Sequence, residues 1–166
     1  LCGGEYAIID LEKIEVGFIK LLLNAKKNSD IIIAFSEYLT SDTFAFGKID
    51  CENVLEYILP EGEHHTESFD VYTFRYLAVF VKSGEIELNN TGVKAYEFNT
   101  DNIFKPSLKD KKLDAIYNAA VRTFAHNAVD LYTDCPSRER AGWLCDSYFT
   151  ANAEYFLTGK CLVEEA

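Results

Sequence analysis

The sequence predicts an α+β protein, an antiparallel β-sandwich followed by two helices, and three observations carry that prediction. Over the first hundred or so residues, short β-branched and aromatic runs are separated by turn-forming clusters, the spacing of sandwich strands. After Phe104 the apolar residues recur at three- and four-residue steps, the period of a helix. The chain of 166 residues is 48% hydrophobic and 26% charged, so it has enough apolar surface to offset chain entropy and bury a core.

Taken in order, the expected strands are Tyr6 to Asp10, Gly17 to Leu23, Asp30 to Ser36, Val54 to Ile58, Tyr72 to Val81 and Ile86 to Tyr96. The breaks between them carry turn chemistry: Asn24 to Ser29, Pro60 to Glu63, Ser83-Gly84, and Asn89 to Gly92. The first helix is expected from its stripe of Leu113, Ile116, Tyr117, Ala120, Val121, Phe124, Ala128 and Leu131. Pro106 and Ser107 suit its start, with Asp110 in a capping-box-like position, and Pro136 is expected to break it. A second helix is expected from near Ala141 through Phe149, Ala153 and Leu157 to a stop at Gly159. This places a 1–104 sandwich domain before a 105–166 helical domain. Two helices each bury one stripe and cannot enclose a core alone, so they need the sandwich or further helices as neighbours.

Composition narrows the functions. A formal net charge of −11, with no local Lys or Arg cluster, repels a phosphate backbone and argues against nucleic acid as a partner. No stretch approaches the roughly 18 uninterrupted apolar residues of a membrane span, so a soluble chain is expected, cytoplasmic or exported. The first residues lack a signal-peptide pattern. The start at Leu1 and the absence of Met suggest a piece of something longer. Cys2, Cys51, Cys135, Cys145 and Cys161 are an odd number with no CxxC pair, which indicates reduced thiols rather than a zinc ribbon or a disulfide framework. His64 and His65 would point to opposite faces of a strand and suit a solvated loop or edge better than a metal site. Neither a cofactor nor a metal is expected.

The chemistry concentrates between the helices, in the run Asp134-Cys135-Pro136-Ser137-Arg138-Glu139-Arg140-Ala141-Gly142-Trp143-Leu144-Cys145-Asp146. Three carboxylates, two arginines and an indole suit a sugar: carboxylates accept hydroxyl hydrogen bonds, Arg donates them, and Trp covers an apolar sugar face. A plainer reading has Asp134 and Asp146 capping helices, the arginines pairing with them at the surface, and Trp143 in the core.

This run resembles the D-C-P-x-R-(D)-E-R-x-G-W-x-G-D signature of glycoside hydrolase family 78, the bacterial α-L-rhamnosidases. Tyr117-Asn118-Ala119-Ala120 and Arg122-Thr123-Phe124 resemble the opening helix of that family's (α/α)6 barrel, and Gly17-Phe18, Ser36 to Leu39 and Phe74 to Leu77 resemble the sandwich before it. The resemblance implies that the helices are the first two of a truncated barrel. It places the general acid on Glu139 and the rhamnose-holding positions on Asp134, Arg138, Trp143 and Asp146. It implies an inverting hydrolysis of terminal α-L-rhamnose, with a rhamnose-containing glycoside or polysaccharide as partner. The second carboxylate, the base, has no counterpart in the chain, so the piece alone is expected to be inactive and to need the remainder of the barrel. Two departures stand out: Cys145 replaces a usual Gly, and the optional acid before Glu139 is missing. A carbohydrate-binding sandwich module and a degenerate homologue are the alternatives.

Overall fold

The computed structural model describes residues 1–40, 44, 46–48, 51–163 and 165. These form two compact units, Leu1–Ala95 and Tyr96–Ala166.

The first unit is built on two very long strands, β1 (Tyr6–Ser36) and β6 (Tyr72–Ala95), with β4 (Val54–Leu59) and β5 (Gly62–Glu67) at the edges. All pairings are antiparallel. The β6 stretch from Tyr76 to Val81 lies between the two ends of β1, pairing Tyr6–Asp10 on one side and Ile31–Ser36 on the other. Beyond Ile31–Ser36, β4 closes that half of the sheet. In the other half the middle of β1 pairs with β6 from Ile86 to Ala95 and, on its opposite edge, with β5. Both halves send alternate residues into one core. Ile19, Leu21, Leu23 and Ala25 come from the middle of β1, Ile31, Ile33 and Phe35 from its end, and Phe74, Leu77, Val79, Val81 and Ile86 from β6. A further small sheet pairs β2 (Gly47–Lys48) with β3 (Cys51–Glu52).

The strand positions match the expected runs, but several breaks do not. Asn24 to Ser29 stays inside β1, and Ser83-Gly84 and Asn89 to Gly92 stay inside β6. There the ladder shifts register, at Ala25/Lys27, Lys27/Asp30 and Leu22/Leu23. Turn-forming residues here make bulges that bend a continuous strand rather than ending it. β5 was not foreseen: its GEHHTE sequence is polar throughout, as an edge strand tolerates. The expected turn at Pro60 to Glu63 reduces to Pro60 and Glu61, and the Glu61 N–H is held by Asn28 Oδ1 at 3.1 Å.

The second unit carries α1 (Lys111–Asn127) and α2 (Leu144–Thr158). Asp110 is itself the N-cap of α1, accepting from the Lys112 and Leu113 amides, so Ser107 does not cap it as expected. α1 ends at Asn127, nine residues before Pro136, so Pro136 does not break it. The chain turns instead through an isolated bridge between Ala128 and Tyr132. α2 starts three residues later than expected, and Gly159 closes it in the left-handed conformation, φ 75°, where a Cβ would be strained. A small cluster of Ile103, Phe124, Ala128, Tyr132 and Ala151 holds the two helices and their connections together. Leu113 and Ile116 of the expected α1 stripe are exposed, as are Trp143, Phe149, Tyr155 and Phe156 on and before α2. No helix among the described residues is long and apolar enough to cross a membrane, which leaves β-barrels aside.

Candidate active site

The run from Asp134 to Gly142 is irregular backbone between the two helices, where Pro136 and the lack of an apolar period prevent regular structure. A two-way clasp closes it. The Asp134 N–H donates to the Ala141 carbonyl at 3.0 Å, and the Ala141 N–H donates to Asp134 Oδ1 at 2.9 Å. Between these ends Arg140 adopts φ 51°, an uncommon conformation for a side chain with a Cβ and the kind of local strain that turns a tight loop. Burial pushes the Asp134 carboxyl upward. The hydrogen bonds from the Ala141 and Cys135 amides and the Cys135 side chain outweigh it and hold the carboxyl below its ordinary range.

The five expected site residues fall into two groups. Glu139, Arg138 and Trp143 are together and open to solvent. The Arg138 guanidinium pairs with Glu139 Oε1, and the Trp143 indole N–H donates to Glu139 Oε2 at 3.2 Å. Asp134 and Asp146 both line a cavity of about 430 Å³ between α1 and α2, with Thr123, Asn127, Phe149 and Thr150 on its walls. Glu139 and Trp143 are not among its lining residues.

At Asp134, Asp146, Arg138 and Trp143 the structure departs from the plainer reading. Asp134 caps the loop rather than a helix, Asp146 lies in the first turn of α2 without being its cap, and the cap position is Trp143, with no side-chain hydrogen bond. Arg138 pairs with Glu139 instead of an aspartate, and Trp143 is 55% exposed instead of core. Cys145, the departure from Gly, is the second residue of α2, where a helical backbone asks for no glycine. Among the described residues no three His, Cys, Asp or Glu side chains gather as a metal site would.

Two residues that matter to the loop were not read from the sequence. Glu154 is fully buried and receives the Tyr132 hydroxyl. The available signal was its place on the buried stripe of α2, three residues after Ala151.

Comparison with known families decides where this loop belongs. Residues 2–99 match the bacterial α-L-rhamnosidase concanavalin-like domain, and residues 102–163 match the bacterial α-L-rhamnosidase six-hairpin glycosidase domain. The first match alone spans more than half of the chain. The chain belongs to the bacterial α-L-rhamnosidase family. Among solved structures, a rhamnosidase from Klebsiella oxytoca with rhamnose bound superimposes with a TM-score of 0.84 at 23% identity, over 98% of this chain. A family 78 rhamnosidase of Bacillus sp. GL1 gives 0.86 at 25% identity over 96%. This rhamnosidase-family chain spans 36% of the first of those chains and 17% of the second. No curated protein sequence matches it. The two family matches meet between residues 99 and 102, close to the junction of the two compact units at Ala95 and Tyr96.

Proposed function

We propose that the complete protein carrying this chain releases terminal α-L-rhamnose from a glycoside or polysaccharide, with Glu139 as the general acid. What supports the reading is the loop itself in a rhamnosidase-family chain. Within the run Asp134 to Gly142, Glu139 is the exposed carboxylate, and Trp143 and Arg138 aim its two oxygens. In hydrolysis Glu139 protonates the departing glycosidic oxygen while the C–O bond breaks, and water attacks the anomeric carbon from the other face, giving its proton to a second carboxylate. The sugar is thereby released with inverted configuration. The donating form is the protonated one, so Glu139 takes up a proton from water and releases Arg138 as substrate enters, then passes that proton to the leaving oxygen. Asp134, Arg138, Trp143 and Asp146 hold the rhamnose, the aspartates by accepting from its hydroxyls and the indole by covering an apolar face. The second carboxylate comes from the remainder of the helical barrel, which also covers the exposed faces of α1 and α2. The relative from Klebsiella oxytoca with rhamnose bound supports the choice of sugar.

The test compares two substrates. Glu139→Gln keeps the shape and removes the transferable proton, so turnover of a rhamnoside with a poor leaving group should fall by about 100-fold to 10,000-fold. An aryl rhamnoside with a good leaving group should lose much less, because its oxygen needs little protonation. Equal losses on both would remove the acid role from Glu139.

A further inference from the structure

Glu154 is a carboxylate with no exposure at all, on a helix whose other face is open to solvent. Burying such a group is costly unless its oxygens are satisfied. Here they are satisfied from two directions. The Tyr132 hydroxyl donates to Oε2, and on the other side the Leu162 N–H donates to Oε1 at 2.6 Å and the Val163 N–H to Oε2 at 3.5 Å. The acceptor therefore ties α2 both to the segment entering the loop and to the segment after Gly159.

Tyr132 stands two residues before Asp134, and its ring is buried in the cluster with Phe124, Ala128 and Ala151. From it the chain is pinned step by step: the Thr133 N–H donates to the Asn127 carbonyl at 2.8 Å, and Asp134 then forms its clasp with Ala141. Glu139 stands apart from this sequence of bonds, with Arg138 and Trp143 as its partners.

The geometry points to Glu154 as a positioning residue that acts through Tyr132 to set Asp134, one of the sugar-holding groups of the loop, rather than its acid. This rests on the reading of the loop as a rhamnose site. The bond fixes where the Asp134 carboxylate waits for a sugar hydroxyl, so its loss weakens binding in the ground state and the transition state alike and leaves protonation of the leaving group untouched.

The experiment uses Tyr132→Phe in the complete protein, because it keeps the ring in its cluster and removes only the hydroxyl. KM should rise about 10-fold on both the aryl and the poor-leaving-group rhamnoside, the scale of one lost hydrogen bond, with kcat changed by less than about 2-fold. If the effect runs through Asp134, the double variant Tyr132→Phe/Asp134→Asn should be no worse than Asp134→Asn alone. A lower melting temperature with unchanged KM, or losses that multiply in the double variant, would overturn the proposal. Deuterium exchange of residues 131–142 is read on the same proteins without substrate, and it should speed up in Tyr132→Phe. Unchanged exchange there overturns the proposal whatever the kinetics show. Faster exchange in a protein that has no rhamnosidase activity even as wild type would defeat the rhamnosidase reading and leave the hold of Glu154 on the loop standing.

Discussion

Asp134 does two jobs in this reading, closing its own loop through Oδ1 and facing the cavity between the helices. Its carboxyl is held below its ordinary range despite burial, by the hydrogen bonds it accepts. A carboxylate with a lowered folded pKa contributes its full stabilisation above the unfolded value and loses it as the pH falls through the folded one. The melting-temperature gap between wild type and Asp134→Asn should therefore be constant from pH 7 to about pH 5 and close progressively below about pH 4. At neutral pH the gap should correspond to about 1 kcal/mol, a charge-assisted hydrogen bond discounted for partial exposure. A gap independent of pH would mean that the charge on Asp134 does not hold the loop. The sequence made the loop's residues legible because their order is distinctive, from Asp134 through Glu139 and Trp143 to Asp146. It could not show that Glu139 and Asp134 fall into separate groups, since that depends on the Arg140 backbone and the Asp134–Ala141 clasp. Nor did it single out Glu154, whose burial depends on Tyr132, twenty-two residues earlier.

At the level of elements, strand sequences were legible and strand ends were not. Alternating burial along Ile19, Leu21 and Leu23 follows from the pattern of the residues, whereas whether Asn24 to Ser29 turns or bulges depends on what β6 and β5 offer across the ladder. Helix ends divide in the same way. Gly159 was readable because a left-handed cap favours glycine locally, and the end of α1 at Asn127 was not, because tertiary contacts at Ala128 and Tyr132 stop it before any local breaker does. The meeting of the two long strands sets one demand that a substitution can probe. Gly17 pairs with both ends of β6, Tyr72 and Ala95, and a Cβ there would lie 2.2 Å from the Lys94 carbonyl oxygen. Backbone cannot yield as a flexible side chain can, so Gly17→Ala should cost about 1–3 kcal/mol, with the urea midpoint lowered and the m-value unchanged. Gly92→Ala, where the added Cβ meets open space, is the control and should stay within about 0.5 kcal/mol. Equal effects at the two sites would show that β1 and β6 are not held this close.

On the scale of the whole molecule the two units differ in how far they enclose themselves. Among the described residues the core cluster of the sheet unit holds thirteen buried apolar side chains, and that of the helical unit holds five. The contrast continues on the surface, where Leu144, Tyr148, Phe149, Tyr155 and Phe156 of α2 are all more than half exposed. Single exposed apolar residues are ordinary, but a helix that is aromatic on its open face calls for neighbours. If the remainder of a helical barrel supplies them, a substitution on this face has opposite consequences in two settings. Phe156 is 81% exposed, so in the 166-residue chain Phe156→Ala should change stability by less than about 0.5 kcal/mol and lower self-association and dye binding to apolar surface. In the complete protein the same substitution should cost about 3–5 kcal/mol, the range for truncating a buried phenylalanine. Thermal and urea unfolding of both forms, with and without the substitution, measures the difference. A complete protein as indifferent to Phe156→Ala as the shorter chain would mean that the barrel does not pack on this face of α2.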